Sequence, residues 1–107
     1  MKKWLLVDDI RDLHCDYTAK TAQEGMLLIK DKFHELECVC LDHDLGEDVL
    51  TGRDVLKFMI AENLLPDMIQ LVSSNPVGVK NMQNDLIYHD YTSKDGRTWY
   101  KTSFCEC

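Results

Sequence analysis

Three times along the chain a short apolar run ends in a polar cluster. Trp4 to Val7 runs into Asp8 and Asp9, Cys38 to Leu41 into Asp42, His43 and Asp44, and Met68 to Val72 into Ser73, Ser74 and Asn75. Short runs that are apolar throughout read as strands buried on both faces, as in a parallel sheet. The stretches between them carry helix signals. Thr21 to Glu24 and Thr51 to Asp54 fit capping boxes, in which the N-cap hydroxyl and an acidic side chain three residues on satisfy each other's backbone N–H groups. Ala22, Met26, Ile29 and Phe33 then recur at helical spacing, and Val55, Leu56, Met59 and Ile60 form a second apolar face that stops near Asn63. Asn75 suits an N-cap and Pro76 a first helical position, predicting a third helix to about Leu86.

Two places break this alternation. A second strand is expected over Asp16 to Lys20, and the segment from Asp9 to Asp16 is too short for a crossover helix. A compact loop is expected there. After Tyr88 the pattern weakens. Lys94-Asp95-Gly96 reads as a turn between Tyr88 to Ser93 and Arg97 to Ser103, a hairpin without a clean apolar fifth strand. The chain as a whole is predicted to be one three-layer α/β domain around a parallel sheet of four or five strands. Parallel strands would bring Asp8, Asp42 and Ser73 to one carboxyl edge, where open α/β sheets keep their sites.

The 107 residues suffice for one domain with a modest core, and the net charge of −7 disfavours broad contact with a nucleic-acid backbone. A small phosphate compound, or the end of an RNA held by a few groups and a cation, stays compatible with that charge. No apolar run reaches the ~20 residues of a membrane span, and the run after Lys3 is too short for a signal peptide. The expected location is the cytosol. Of five cysteines, Cys38 and Cys40 alternate on the central strand as core residues, and Cys105 and Cys107 belong to a loose tail.

Asp8, Asp9 and Asp42 at adjacent strand ends would repel one another and raise their pKa values. A hard divalent cation, Mg²⁺ or Mn²⁺, resolves that repulsion with oxygen ligands. The plainer reading is that Asp8 and Asp9 merely end a strand. His43 would donate or accept a proton near neutral pH, or else simply pack. Asp44 would orient His43 or cap the loop that follows. Ser73, Ser74, Asn75 and the N–H groups around Val77 and Gly78 could hold phosphoryl oxygens at a helix start, although Asn75 equally serves as a cap. His14 and His89 have no comparable context.

These motifs resemble a known family. LVDDIR near the start, LDHDLG followed by TGRDVLKF, and SSNPVG followed by NM are similar to the cyclic-phosphate processing receiver-like domains, relatives of the response-regulator receiver. The resemblance runs from about Trp4 to Met82. It implies a doubly wound sheet in the flavodoxin-like order, with Asp42 at the phosphoacceptor position and Asp8 and Asp9 as the acidic pair. It also implies that Ser73 stands where receivers carry Thr or Ser. It implies processing of cyclic phosphates, such as 2′,3′-cyclic ends of RNA, as in RNA repair, or ADP-ribose cyclic phosphates. Three departures from the ordinary receiver stand out. The first helix is reduced, His43 and Asp44 follow the acceptor, and the Lys-Pro at the end of the fifth strand is missing, with Lys101 the only late candidate.

The leading expectation is a metal-dependent phosphoesterase. Its catalytic residues are His43, Asp42 and Asp44, its phosphate-binding residues Ser73, Ser74, Asn75, Val77 and Gly78, and its metal ligands Asp8, Asp9 and Asp42. Attack comes from Asp42 or from a water. A phosphoaccepting receiver and a non-catalytic nucleotide- or protein-binding module are the alternatives. The substrate and the oligomeric state are left open.

Overall fold

The computed structural model describes residues 2–11, 14–46 and 50–102. The elements are β1 (Lys3–Val7), β2 (Tyr17–Ala19), α1 (Ala22–Lys32), a 3₁₀ turn (Phe33–Glu35), β3 (Leu36–Leu41), α2 (Gly52–Ala61), β4 (Met68–Leu71), α3 (Pro76–Tyr88), β5 (Tyr91–Thr92) and β6 (Thr98–Lys101). The order across the sheet is β2-β1-β3-β4-β6-β5. The first four strands are parallel to one another, while β6 is antiparallel to both β4 and β5. The order reverses between β1 and β3, which makes that gap the topological switch point of the sheet.

The helices start where the caps predict. The Thr21 hydroxyl accepts from the Glu24 N–H at 3.1 Å, although the Glu24 carboxylate reaches the Lys20 N–H rather than that of Thr21. Thr51 and Asp54 form the full reciprocal box. Asn75 caps α3 by accepting from the Gly78 N–H at 3.0 Å, with Pro76 at the first helical position. Each cap satisfies an N–H left without a partner in the first helical turn.

The α/β class and the receiver-like order agree with expectation; two particulars are corrected. The sheet is mixed, because the last pair of strands enters as a hairpin and must run against β4. The helices also form a single layer. Leu5, Val7, Val39, Leu41, Ile69 and Leu71 alternate onto one face and share a core with Ile29, Val55, Leu56, Met59, Val79, Met82 and Leu86 from all three helices. The opposite face carries Leu6, Cys38 and Cys40, with Trp4, Cys15, Met68 and Val72 against them and no helix among the described residues. The described residues of the short β1–β2 connection supply no helix to cover it. Of that connection, residues 12 and 13 lie outside the described residues, as do residues 47–49 of the loop after Gly46 and residues 103–107, including Cys105 and Cys107.

The weakly patterned end is a real pair of strands. Trp99 pairs with Ile69 and is nearly buried, and the Tyr91 hydroxyl donates to the Pro66 carbonyl beneath the sheet. These aromatic anchors join the hairpin to the helix-covered core, where single apolar positions in a mostly polar strand suffice. No described helix is long and apolar enough to cross a membrane.

One-sided packing predicts unequal costs of truncation. Ile69→Ala, a fully buried position on the helix-covered face, should lose about 2–5 kcal/mol in chemical denaturation. Tyr100→Ala, on the other face and 52% exposed, should lose under about 1 kcal/mol. Equal losses would show that the second face is packed as tightly as the first.

Candidate functional site

The carboxyl ends of β1, β3 and β4 deliver Asp8, Asp42 and Ser73 to one edge, as the apolar runs predict. Asp8 is fully buried, Asp42 is 8% exposed and Ser73 2% exposed. Oxygens of Asp8, Asp9 and Asp42 lie within 4.8 Å of one another. A cavity of about 410 Å³ opens over them, lined by Asp8, Asp9, Ile10, Arg11, Asp42, Asp44, Gly46 and Ser74.

Arg11, for which the sequence pattern alone indicates no role, lies between Asp8 and Asp42. Its Nη1 donates to Asp8 Oδ2 at 2.9 Å and lies 3.5 Å from Asp42 Oδ2. Asp8 Oδ1 accepts from the backbone N–H groups of Ile10 and Arg11. Burial alone would push the Asp8 carboxyl up, but these hydrogen bonds outweigh it and hold Asp8 below the usual carboxylate range. Asp42 goes the other way. Burial, and then the charge on Asp8, raise it, and the Ser73 hydroxyl, the His43 N–H and Arg11 only partly offset them. An arginine three residues after the first aspartate, in the turn that leaves a strand, was the available signal for this ion pair.

The residues present fit a hard divalent cation. Three carboxylates converge at one point, and one of them is destabilised as an anion. Mg²⁺ and Mn²⁺ take such oxygen ligands. Arg11 reaches the same two carboxylates, so a cation would compete with its guanidinium for Asp8 and Asp42.

His43 lies beside the cavity rather than in its lining. Its side chain is 18% exposed, with Nδ1 3.0 Å from Asp44 Oδ1. Asp44 also accepts from Asn75 Nδ2 at 3.2 and 3.3 Å, so it ties the end of β3 to the cap of α3 and orients His43. The hydrogen bond to His43 and then that to Asn75 keep the Asp44 carboxyl low. Two glycines make room for this arrangement. A Cβ at Gly78 would fall 2.3 Å from His43 Cγ, and one at Gly52 would fall 1.7 Å from the Asp42 carbonyl oxygen. The Gly52 N–H donates to the His43 carbonyl at 2.9 Å, which anchors α2 on the same strand end.

The candidate phosphate groups divide. Ser74 lines the cavity. Ser73 helps to lower the Asp42 carboxyl, and its hydroxyl accepts from the Asn75 N–H at 3.0 Å. Asn75 caps α3 and contacts Asp44, the Gly78 N–H is taken by that cap, and Val77 is exposed on the first turn. Lys101 is not at this edge. Its Nζ donates to the Leu65 carbonyl at 2.6 Å, near the start of β4, because β6 runs antiparallel and ends at the opposite edge.

An acidic pair after β1 and an aspartate after β3, set in this strand order, define a receiver-like α/β domain. The family model of the cyclic-phosphate processing receiver domain matches residues 3–87, and the chain belongs to that family. No curated protein and no solved structure matches it.

Two expectations follow. Calorimetry should show Mg²⁺ or Mn²⁺ binding that weakens in Asp9→Asn and Asp42→Asn and tightens in Arg11→Gln; equal affinity in all four proteins would exclude this centre. A cation at about a hundredfold excess over its Kd should add about 2.7 kcal/mol to stability. In metal-free buffer the two buried aspartates should act with opposite sign. The stability contributed by Asp8 is present above its ordinary pKa of 3.8 and is lost as the pH falls through its depressed folded value. The contribution of Asp42 is fully present below 3.8 and is lost as the pH rises through its raised folded value. At pH 7, Asp42→Asn should therefore raise the melting temperature and Asp8→Asn should lower it.

Proposed function

We propose that the chain is a metal-dependent phosphoesterase that opens a cyclic phosphate, on a nucleotide, an ADP-ribose derivative or an RNA terminus. The observation that carries this reading is the meeting of three carboxylates within 4.8 Å and a His–Asp pair at one strand edge, in a member of a cyclic-phosphate processing family. Asp8, Asp9 and Asp42 would hold Mg²⁺ or Mn²⁺, which supplies charge neutralisation for the phosphate oxygens when bound.

The chain's own residues divide the remaining work. Arg11, released from Asp8 and Asp42, offers guanidinium donors to a phosphate that enters the cavity. Ser74 hydrogen-bonds a phosphoryl oxygen. Asp44 holds His43 Nδ1, which leaves Nε2 to protonate the sugar oxygen as it departs. Attack in line comes from Asp42 or from a water. The ligand is small, because an acidic surface of this kind favours no extended nucleic-acid contact.

One observation favours a second reading, a phosphoaccepting receiver. Ser73, at the end of β4, lies close enough to Asp42 to help lower its carboxyl, as a switch residue beside an acceptor would. Lys101 at the far edge weighs against it.

His43 separates the two. General acid–base help is worth about 10²–10⁴ in rate. Turnover of a panel of cyclic phosphates should fall by about that factor in His43→Ala, with metal affinity unchanged. His43→Gln should not recover it, since an amide can hydrogen-bond but cannot deliver a proton. Wild-type rates in both variants from about pH 5 to 9, a range that spans the ordinary histidine pKa, would rule out the proposed mechanism. A phosphoprotein stable for minutes, without turnover, would favour the receiver.

A further inference from the structure

The reversal of β6 has a consequence for the charge at this edge. An antiparallel strand brings its first residues, not its last, to the carboxyl ends of its parallel neighbours. The residue before β6 is Arg97. Its carbonyl accepts from the Leu71 N–H at 2.8 Å, and its Nη1 donates to the Ser73 carbonyl, one peptide from Ser74 in the cavity wall.

The turn that holds Arg97 is well tied down. The Asp95 carboxylate accepts from the N–H groups of Arg97 and Thr98 at 2.9 and 2.8 Å. The Gly96 carbonyl accepts from Gln83 Nε2 of α3 at 2.8 Å and from Trp99 Nε1 at 3.0 Å. The backbone beneath the guanidinium is thus fixed to both the sheet and a helix.

Arg97 is also an uncompensated charge. Among the described residues Arg11 pairs with Asp8 and Asp42, Arg53 pairs with Asp85, and no carboxylate lies within 4.0 Å of the Arg97 side chain. In a chain of net charge −7, Arg97 is an exposed guanidinium without an acidic partner among the described residues, held one peptide from the cavity wall. One donor is spent on Ser73, which aims the group and leaves the others for an anion.

We infer that Arg97 forms an anion subsite next to the acidic cavity, beside Ser74, and binds a phosphoryl oxygen of the ligand. It lies beyond the residues 3–87 that the family model matches, just before β6 of the hairpin that follows α3. The inference rests on the reading of this edge as a phosphate site, but not on hydrolysis.

The test is a titration of the full chain with inorganic phosphate in the presence of Mg²⁺, followed by ¹H–¹⁵N spectra that include the arginine Nε–Hε signals. The Arg97 Nε–Hε and Ser74 amide signals should move together. Arg97→Gln should weaken phosphate binding by about tenfold, the loss expected for one charge-assisted hydrogen bond. Arg97→Lys, which keeps the charge, should lose less than Arg97→Gln. Lys101→Gln removes the same unit charge from the opposite edge and should change nothing. Absence of phosphate binding by the wild type, an unmoved Arg97 signal, or equal weakening by Arg97→Gln and Lys101→Gln would overturn the inference. Failure to turn over cyclic phosphates would sink the hydrolytic reading and leave these phosphate-induced shifts intact, so the two failures are distinguishable.

Discussion

The burial of Asp8 beside Asp42 is the constraint on which the rest of this edge depends. Two carboxylates taken out of water at adjacent strand ends repel each other and lose hydration. Asp8 is held as an anion because two backbone N–H groups and the Arg11 guanidinium converge on it. Asp42 has only the Ser73 hydroxyl, its neighbour's N–H and a longer contact to Arg11, and its carboxyl is pushed up. The cluster is left short of positive charge, and its oxygens form a ligand set that fits a divalent cation. It also sets the conflict between Arg11 and any metal over the same oxygens.

The surrounding elements hold this unfavourable arrangement in place. β1 and β3 are apolar and pair in parallel, so their ends must coincide. Gly52 lets α2 approach the Asp42 carbonyl, and Gly78 lets α3 pack against the His43 ring. Asp44 and Asn75 close the gap between β3 and α3. Side chains on three different elements are thereby fixed within one small volume. Such preorganisation is what proton transfer and phosphate binding require.

Among the described residues the face over Leu6, Cys38 and Cys40 carries no helix, and the sheet is completed by a hairpin rather than by a parallel strand with its own crossover. That choice inverts the edge at which late residues arrive. A lysine at the end of β6 is sent to the start of β4, and the arginine just before β6 is brought to the Ser73 carbonyl at the end of β4.

Much of this was legible in the sequence. The three apolar runs with polar ends, the Thr21, Thr51 and Asn75 caps, and the convergence of Asp8, Asp9 and Asp42 all follow from local rules: strand burial, capping chemistry and the parallel order. The roles of Arg11, Gly52 and Gly78 were not legible, because each depends on what lies across a gap from it. The direction of β6 was also hidden, since a strand with Trp99 as its one buried residue carries no pattern that tells parallel from antiparallel. Lys101, the only late candidate for the missing lysine, is carried to the far edge for that reason. Local propensity acts through neighbours along the chain and sets which elements form and where they stop. Which cation meets which carboxylate is decided by contacts between distant segments, and those exist only once the sheet has closed around them.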